Sequence, residues 1–258
     1  MSILKFRFRH LKTGILLLIF LFPSTICYSS LDNLKLLYEN HNNTEGLQFY
    51  SQFEQDRYVY QNFFKNKREG IFVDIGAHDG VTFSNTYFFE KSLGWTGICI
   101  EPIPEVFELL KQARDAICVQ GCICSNKDST PFLRIKGDSE MLSGILDNYD
   151  PNHLARVQQE LATYGGSAEV ITVNCFDLTE LLLKHGFSHI DYLSLDTEGG
   201  ELEILKSIDF KLIDIDIIDV ENNGSTNIFN EYLETLGYKK MIKLGVDEIY
   251  AKKELVHD

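Results

Sequence analysis

The run FVDIGAHDG at residues 72–80, followed by GICIEP at 97–102, constrains this chain more than any other stretch. An apolar run ends in Asp74 and turns through Gly76, Ala77 and Gly80, and a second apolar run ends in Glu101. A buried parallel strand, a glycine turn, a crossover helix and a second strand with an acidic tip make one nucleotide-binding half of an α/β sheet. Glycines let the backbone approach a ligand closely, and an acid at the second tip can accept from both ribose hydroxyls. Gly76 and Gly80 stand further apart than the first glycines of the dinucleotide fingerprint, and the loop has no basic residue to neutralise phosphate. The turn suits a cofactor with a ribose and no phosphate, which points to S-adenosylmethionine. Asp74 at the strand end and His78 within the turn join the glycines as candidate cofactor-binding residues.

The 258 residues, 44% of them hydrophobic, can bury one substantial core. The chain carries 24 basic against 38 acidic residues, and Lys5, Arg7, Arg9 and Lys12 crowd into its start. The remainder is therefore strongly acidic, which argues against nucleic acid as a partner, since phosphate contact needs clustered Lys and Arg. After the basic start comes GILLLIFLF, residues 14–22. As a helix it spans about 14 Å, short of a hydrocarbon core of about 30 Å. A secretory signal ending near Ser29 is the first reading, with secretion or a periplasmic location as its consequence. An uncleaved single-pass anchor, with membrane association through this segment, is the second. Residues 30–50 read as a linker with a short helix, and 51–258 as the domain.

Strands are expected at 71–75, 97–101, 116–119, 190–196, 212–221, 237–243 and 248–252, with helices between most of them. Residues 121–169 interrupt this rhythm and read either as a lid over the cofactor or as an edge extension. Regular order returns at 170–178. Alternating β and α with a terminal strand pair implies a doubly wound, mostly parallel sheet. Beyond Cys27, the cysteines are Cys99, Cys118, Cys122, Cys124 and Cys175. They lack paired zinc-ligand spacing. Reduced core thiols are the favoured reading, and one disulfide among Cys118, Cys122, Cys124 and Cys175 is the other.

In such a sheet, ligands sit beyond the carboxyl ends of the strands. Acids occupy four of the expected tips: Asp74, Glu101, the Asp196 to Glu201 turn, and Glu221. Four separated motifs, SQFEQD, FVDIGAHDGVTFSNT, GWTGICIEP and IDYLSLDTEGGELEIL, resemble the FkbM-type S-adenosylmethionine-dependent methyltransferases from about Ser51 to Lys252. The resemblance implies a class I methyltransferase (Rossmann-like) fold with seven strands, the last pair antiparallel, and O-methylation. It also implies cofactor-loop positions at Gly76, Ala77 and Gly80, a ribose-binding acid at Glu101, and an Asp-x-Glu-Gly-x-Glu turn at Asp196, Glu198, Gly199 and Glu201. The third tip reads Gln120-Gly121-Cys122 in place of an acid, so adenine contact falls to Gln120 or to backbone groups.

Methyl transfer needs an acceptor oxygen aligned with the methyl carbon and sulfur, and a place for a proton. Asp196, Glu198 and Glu201 are the candidate catalytic residues, and the expected partner is a small-molecule or glycan acceptor. Asp196 with Glu221 and Asn222 could hold Mg²⁺ through hard oxygen ligands, but the preferred reading has no metal. A different class of function is also open: a catalytically inactive methyltransferase fold serving as a binding or trafficking module in a membrane compartment.

Overall fold

The computed structural model describes residues 46–125, 128–149, 151–224 and 226–256. The basic-apolar N-terminal segment and most of the expected linker helix lie outside the described residues. Gly46 to Asp258 forms one compact unit. Among the described residues no helix is long and apolar enough to cross a membrane.

The SQFEQD motif fastens the start of this unit. Asp56 accepts from the Tyr50 amide at 2.7 Å and the Ser51 hydroxyl at 2.5 Å. Behind it runs α1 (Gln55–Val59), which continues into one π-helical turn, Tyr60–Phe64. Phe49 and Tyr50, placed in the linker by the sequence reading, already pack on the domain. Phe49 meets Phe88 at 4.5 Å between ring centres, and Tyr50 meets Tyr87 edge-on at 4.7 Å.

Next come β1 (Ile71–Ile75), α2 (Tyr87–Leu93), β2 (Thr96–Glu101), α3 (Pro104–Ala113) and β3 (Ile117–Gln120). Helix α2 starts later than a helix from Phe83 would. Phe83 sits at φ +57, and the Ser84 hydroxyl accepts the Thr86 and Tyr87 amides, which holds the chain in a turn. Pro104 occupies the first turn of α3, where its missing N–H has no intrahelical partner to lose.

Residues 121–176 leave the main sheet. Strands β4 (Cys122–Ile123), β5 (Ser129–Lys136), β6 (Gly144–Ile145) and β7 (Ser167–Phe176) form a second sheet in the order β4-β7-β5-β6. Helix α4 (Pro151–Tyr164) precedes β7. The apolar run at 170–178 is thus the long strand of this second sheet rather than a return to the first. A disulfide joins Cys124 to Cys175, with Cα atoms 5.5 Å apart. This overturns the preference for reduced thiols. The β4–β7 ladder sets Cys122 beside Cys175, a proximity that linear spacing does not reveal.

The chain closes with α5 (Leu178–Lys184), β8 (His189–Leu195), α6 (Glu201–Ser207), β9 (Asp214–Glu221), α7 (Ile228–Thr235), β10 (Tyr238–Leu244) and β11 (Asp247–Lys252). The main sheet runs β3-β2-β1-β8-β9-β11-β10, with β11 antiparallel to both neighbours. This is the seven-stranded class I methyltransferase order. Its central strands are apolar on both faces because helices cover both. Val73, Ile100 and Leu195 pack under α5, α6 and α7, while Phe72, Cys99 and Tyr192 pack under α1, α2 and α3. Each large side chain buried this way contributes about 1.5–3 kcal/mol. The strand order reverses between β1 and β8, and the tips splay there to leave a crevice.

Candidate active site

The tips of β1, β2, β8 and β9 converge on one cavity of about 400 Å³. The second sheet and the segment from Asp138 to Ser143 form its opposite wall, so the insert roofs the strand tips.

At the cofactor end, Gly76 (φ +85) turns the chain away from β1, and the Gly76 and Ala77 amides both donate to the Ile100 carbonyl at 3.0 Å. A Cβ on Gly76 would overlap the Asp196 carbonyl, so the loop lies directly against the tip of β8. Gly80 (φ +81) is outside the cavity lining, and a side chain there would meet Leu110 and Arg114. Asp74 reaches the wall, but its carboxylate accepts from the Thr86 hydroxyl at 2.5 Å and faces Arg114 at 3.7 Å. It braces the loop from beneath.

Glu101 is buried on the wall and accepts from the His78 amide at 3.1 Å and the Ile103 amide at 2.8 Å, one bond to each oxygen. Each oxygen keeps a lone pair for a hydroxyl. Burial pushes the Glu101 pKa up to about 7, against the pull of those two amides. His78 sits at φ +50 with Nε2 3.2 Å from Glu140 Oε1. Gln120 pairs with Glu101 in the ladder but is exposed and outside the lining; Gly121 and Cys122 form the wall there. Ser139 contributes a buried hydroxyl without a hydrogen-bond partner on the same wall. A ribose-ready acid, a glycine turn pressed close to the cavity and an unsatisfied hydroxyl fit S-adenosylmethionine.

The other end of the cavity is built on the turn after β8. Glu201 lies outside the cavity lining. One of its oxygens accepts from the Thr197 amide at 3.0 Å, the Thr197 hydroxyl at 2.8 Å and the Gly199 amide at 3.0 Å. The other accepts from the Gly200 amide at 2.9 Å. Glu201 therefore organises the turn and acts as a positioning residue. Glu198, at φ +57, is buried, with one oxygen 3.5 Å from the His153 ring and 4.0 Å from Arg156. Asp196 exposes its surface onto the cavity. Carboxylate oxygens of Asp196, Glu198 and Glu221 all lie within 4.8 Å of one another.

Burial and mutual repulsion raise all three. Glu198 rises to about 7, chiefly through desolvation. Asp196, which opens only into the cavity, and Glu221 rise well above the usual range, first through desolvation by the surrounding walls and then through neighbouring carboxylates. Oxygens of Asp196 and Glu221 lie within 4.8 Å of each other, and the raised pKa of both carboxyls favours proton retention in this cluster.

Sequence reasoning missed Ser139, Asn85 and Arg156, all of which line the cavity. Ser139 belongs to the acid-and-serine run at 138–143, whose placement depends on how the second sheet folds back. The alternative Mg²⁺ set of Asp196, Glu221 and Asn222 does not assemble as a trio. Asn222 instead donates to the Thr226 carbonyl at 2.7 Å and accepts the Thr226 amide at 3.2 Å. Glu198 takes its place in the carboxylate trio.

These raised values set the direction of the pH dependence of stability. Above about pH 4 the unfolded chain loses these carboxyl protons, while the folded chain keeps them until about 7 at Glu101 and Glu198. The folded state binds more protons across that window, so stability falls as pH rises. The cofactor-free protein should melt several degrees higher at about pH 5.5 than at about pH 8. Glu101→Gln and Glu198→Gln should flatten the slope. A melting temperature that climbs steadily toward pH 8 would contradict the burial of these acids.

Against known proteins, the methyltransferase FkbM domain matches residues 74–240. Ribosomal RNA small subunit methyltransferase H of Syntrophobacter fumaroxidans is 29% identical over 112 residues, covering 42% of this chain and 34% of that protein. The chain thus spans only about a third of the length of this curated relative. Among solved structures, a methyltransferase from Geobacter sulfurreducens is 11% identical, covers 89% of this chain and 91% of its own, and has a TM-score of 0.42. Human methyltransferase 10 domain containing protein is 12% identical, covers 88% and 97%, and scores 0.41. Neither structure adds to the fold assignment, which rests on the strand order. The family match takes in the glycine turn, Glu101 and the turn after β8, and extends over well more than half of the chain. This chain belongs to the FkbM methyltransferase family, and its cofactor is S-adenosylmethionine.

Proposed function

We propose that this enzyme methylates a hydroxyl of a glycan or of a small, polar, neutral acceptor. The observation that carries the reading is the make-up of the cavity's acceptor end. Asp196, Glu198 and Glu221 supply acids there, Asn85 and Asn223 supply amides, and Phe83 supplies an exposed ring face. Carboxylates repel an anionic acceptor, while amides and protonated carboxyls bond hydroxyls and an aromatic face packs on the C–H face of a sugar. The bound cofactor supplies a methyl made electrophilic by its sulfonium. The protein's part is to hold the acceptor oxygen in line and to receive its proton. Asp196 and Glu221 would hold the acceptor hydroxyl and take up its proton when the cofactor's methyl is transferred.

The ribosomal RNA target belongs to the Syntrophobacter protein; a formal net charge of −14 weighs against a polyanionic acceptor here. The Cys124–Cys175 disulfide supports an oxidising setting, in keeping with a secretory or periplasmic destination or an N-terminal anchor. Methyl-labelled cofactor offered with neutral methyl glycosides, the corresponding uronic acids and simple amines should label the neutral glycosides. Label recovered only on amines or on RNA would overturn the reading.

The reaction needs no metal on this reading. Arg156 stands 4.0 Å from Glu198, an unfavourable neighbour for a cation, and Asn222 is committed to its own turn. Chelation with EDTA and dialysis should leave the rate unchanged. Activity lost to EDTA, restored by Mg²⁺ and abolished in Asp196→Ala would establish a metal centre instead.

A further inference from the structure

Three sulfurs meet beside the cofactor wall. Cys122 Sγ lies 3.7 Å from Cys124 Sγ and 3.8 Å from Cys175 Sγ, and the latter two form the disulfide. Cys122 also lines the cofactor cavity, and the preceding Gly121 amide donates to the Glu101 carbonyl at 3.1 Å. A second cavity of about 170 Å³ adjoins Cys124 and Thr130, and the Thr130 hydroxyl is buried without a hydrogen-bond partner.

From this geometry we propose that Cys122, Cys124 and Cys175 form a thiol–disulfide exchange centre that sets the cofactor wall. The Cys122 sulfur lies side-on to the disulfide, nearly equidistant from its two atoms. It swings into line with the S–S bond before its thiolate attacks Cys175 Sγ, its neighbour in the β4–β7 ladder. The Cys122–Cys175 bond forms and the Cys124–Cys175 bond breaks. Cys124 leaves as a thiolate and takes up the proton that Cys122 lost, so no oxidant or reductant is consumed. The released Cys124 thiol has the second cavity and the Thr130 hydroxyl beside it. The cross-link thereby moves two residues closer to Glu101 and pulls on β4 directly after Gly121. The Cys124–Cys175 form is the one that binds cofactor well, and the exchanged form binds it less tightly.

Differential alkylation and peptide mapping of the full oxidised protein test the exchange. The thiol label should divide between Cys122 and Cys124 in the unmodified sequence, and Cys122→Ser should leave neither labelled. Cys124→Ser, oxidised identically, should form the Cys122–Cys175 bond. Its affinity for S-adenosylmethionine by calorimetry should then rise about fivefold or more when the bond is reduced. Label confined to Cys122 overturns the exchange, even if Cys124→Ser fails to fold. A folded Cys124→Ser that keeps both remaining thiols overturns it too. Equal cofactor affinity in its oxidised and reduced forms would remove the coupling to the wall.

Discussion

Replacing Glu101 with alanine should weaken S-adenosylmethionine binding about 30- to 150-fold, or roughly 2–3 kcal/mol, the worth of charge-assisted bonds to two ribose hydroxyls. Both Glu101 oxygens already hold a backbone amide, so the side chain is aimed before any ligand arrives. The same residue gives cofactor binding a pH signature. Hydroxyls donate best to the ionised carboxylate, and burial has raised its pKa to about 7. Affinity should therefore decline as pH falls through that value, with proton release on binding visible in buffers of different ionisation heat. Glu101→Gln should lose both the tight binding and its pH dependence. If Glu101→Ala binds cofactor within about threefold of the unmodified protein, the ribose assignment is wrong.

Asp196→Asn should lower the methyl-transfer rate by about 10²-fold or more, while cofactor affinity stays nearly constant. Asparagine keeps the shape and can still hydrogen-bond Glu221, but it cannot receive a proton. Stability should hold or rise, because the substitution removes one carboxyl from a crowd of three within 4.8 Å. A purely structural Asp196 makes the opposite forecast: a lower melting temperature with the rate preserved in the folded fraction. That result would take Asp196 out of the catalytic site and leave Glu221 as the proton acceptor to test.

The sheet was legible because its strands obey local rules. Phe72 to Ile75 and Ile98 to Ile100 are uniformly apolar, as strands covered on both faces must be. The glycine turn and Glu101 were legible for the same reason, since a strand, a tight turn and the next strand tip are close in sequence. The failures have two sources, a local turn whose amides use up an acid and long-range folding. Gln120 follows an apolar strand as an adenine contact would, yet its side chain is exposed and Gly121 and Cys122 face the cavity. Glu201 has the spacing of an active-site acid, but the amides of its own turn consume it. Ser139 reaches the cavity only because β5 pairs antiparallel with β7 along all of β5 and with β6 beyond the turn, which brings the segment after β5 back across the strand tips. No periodicity within residues 121–169 encodes that return.

The contact between Gly76 and the Asp196 carbonyl bears on how such an enzyme can diversify. Cofactor loop and acceptor tip share one backbone wall, with no room even for a methyl group between them. A change that reshapes one half of the floor will disturb the other, so new acceptors are hard to reach by altering the strand tips. The roof is a separate sheet with its own disulfide, and residues such as Glu140 and Arg156 meet the floor through side chains. Exchanging the roof is the open route to a new acceptor, and laboratory libraries aimed at selectivity belong at residues 138–160 rather than at the glycine turn.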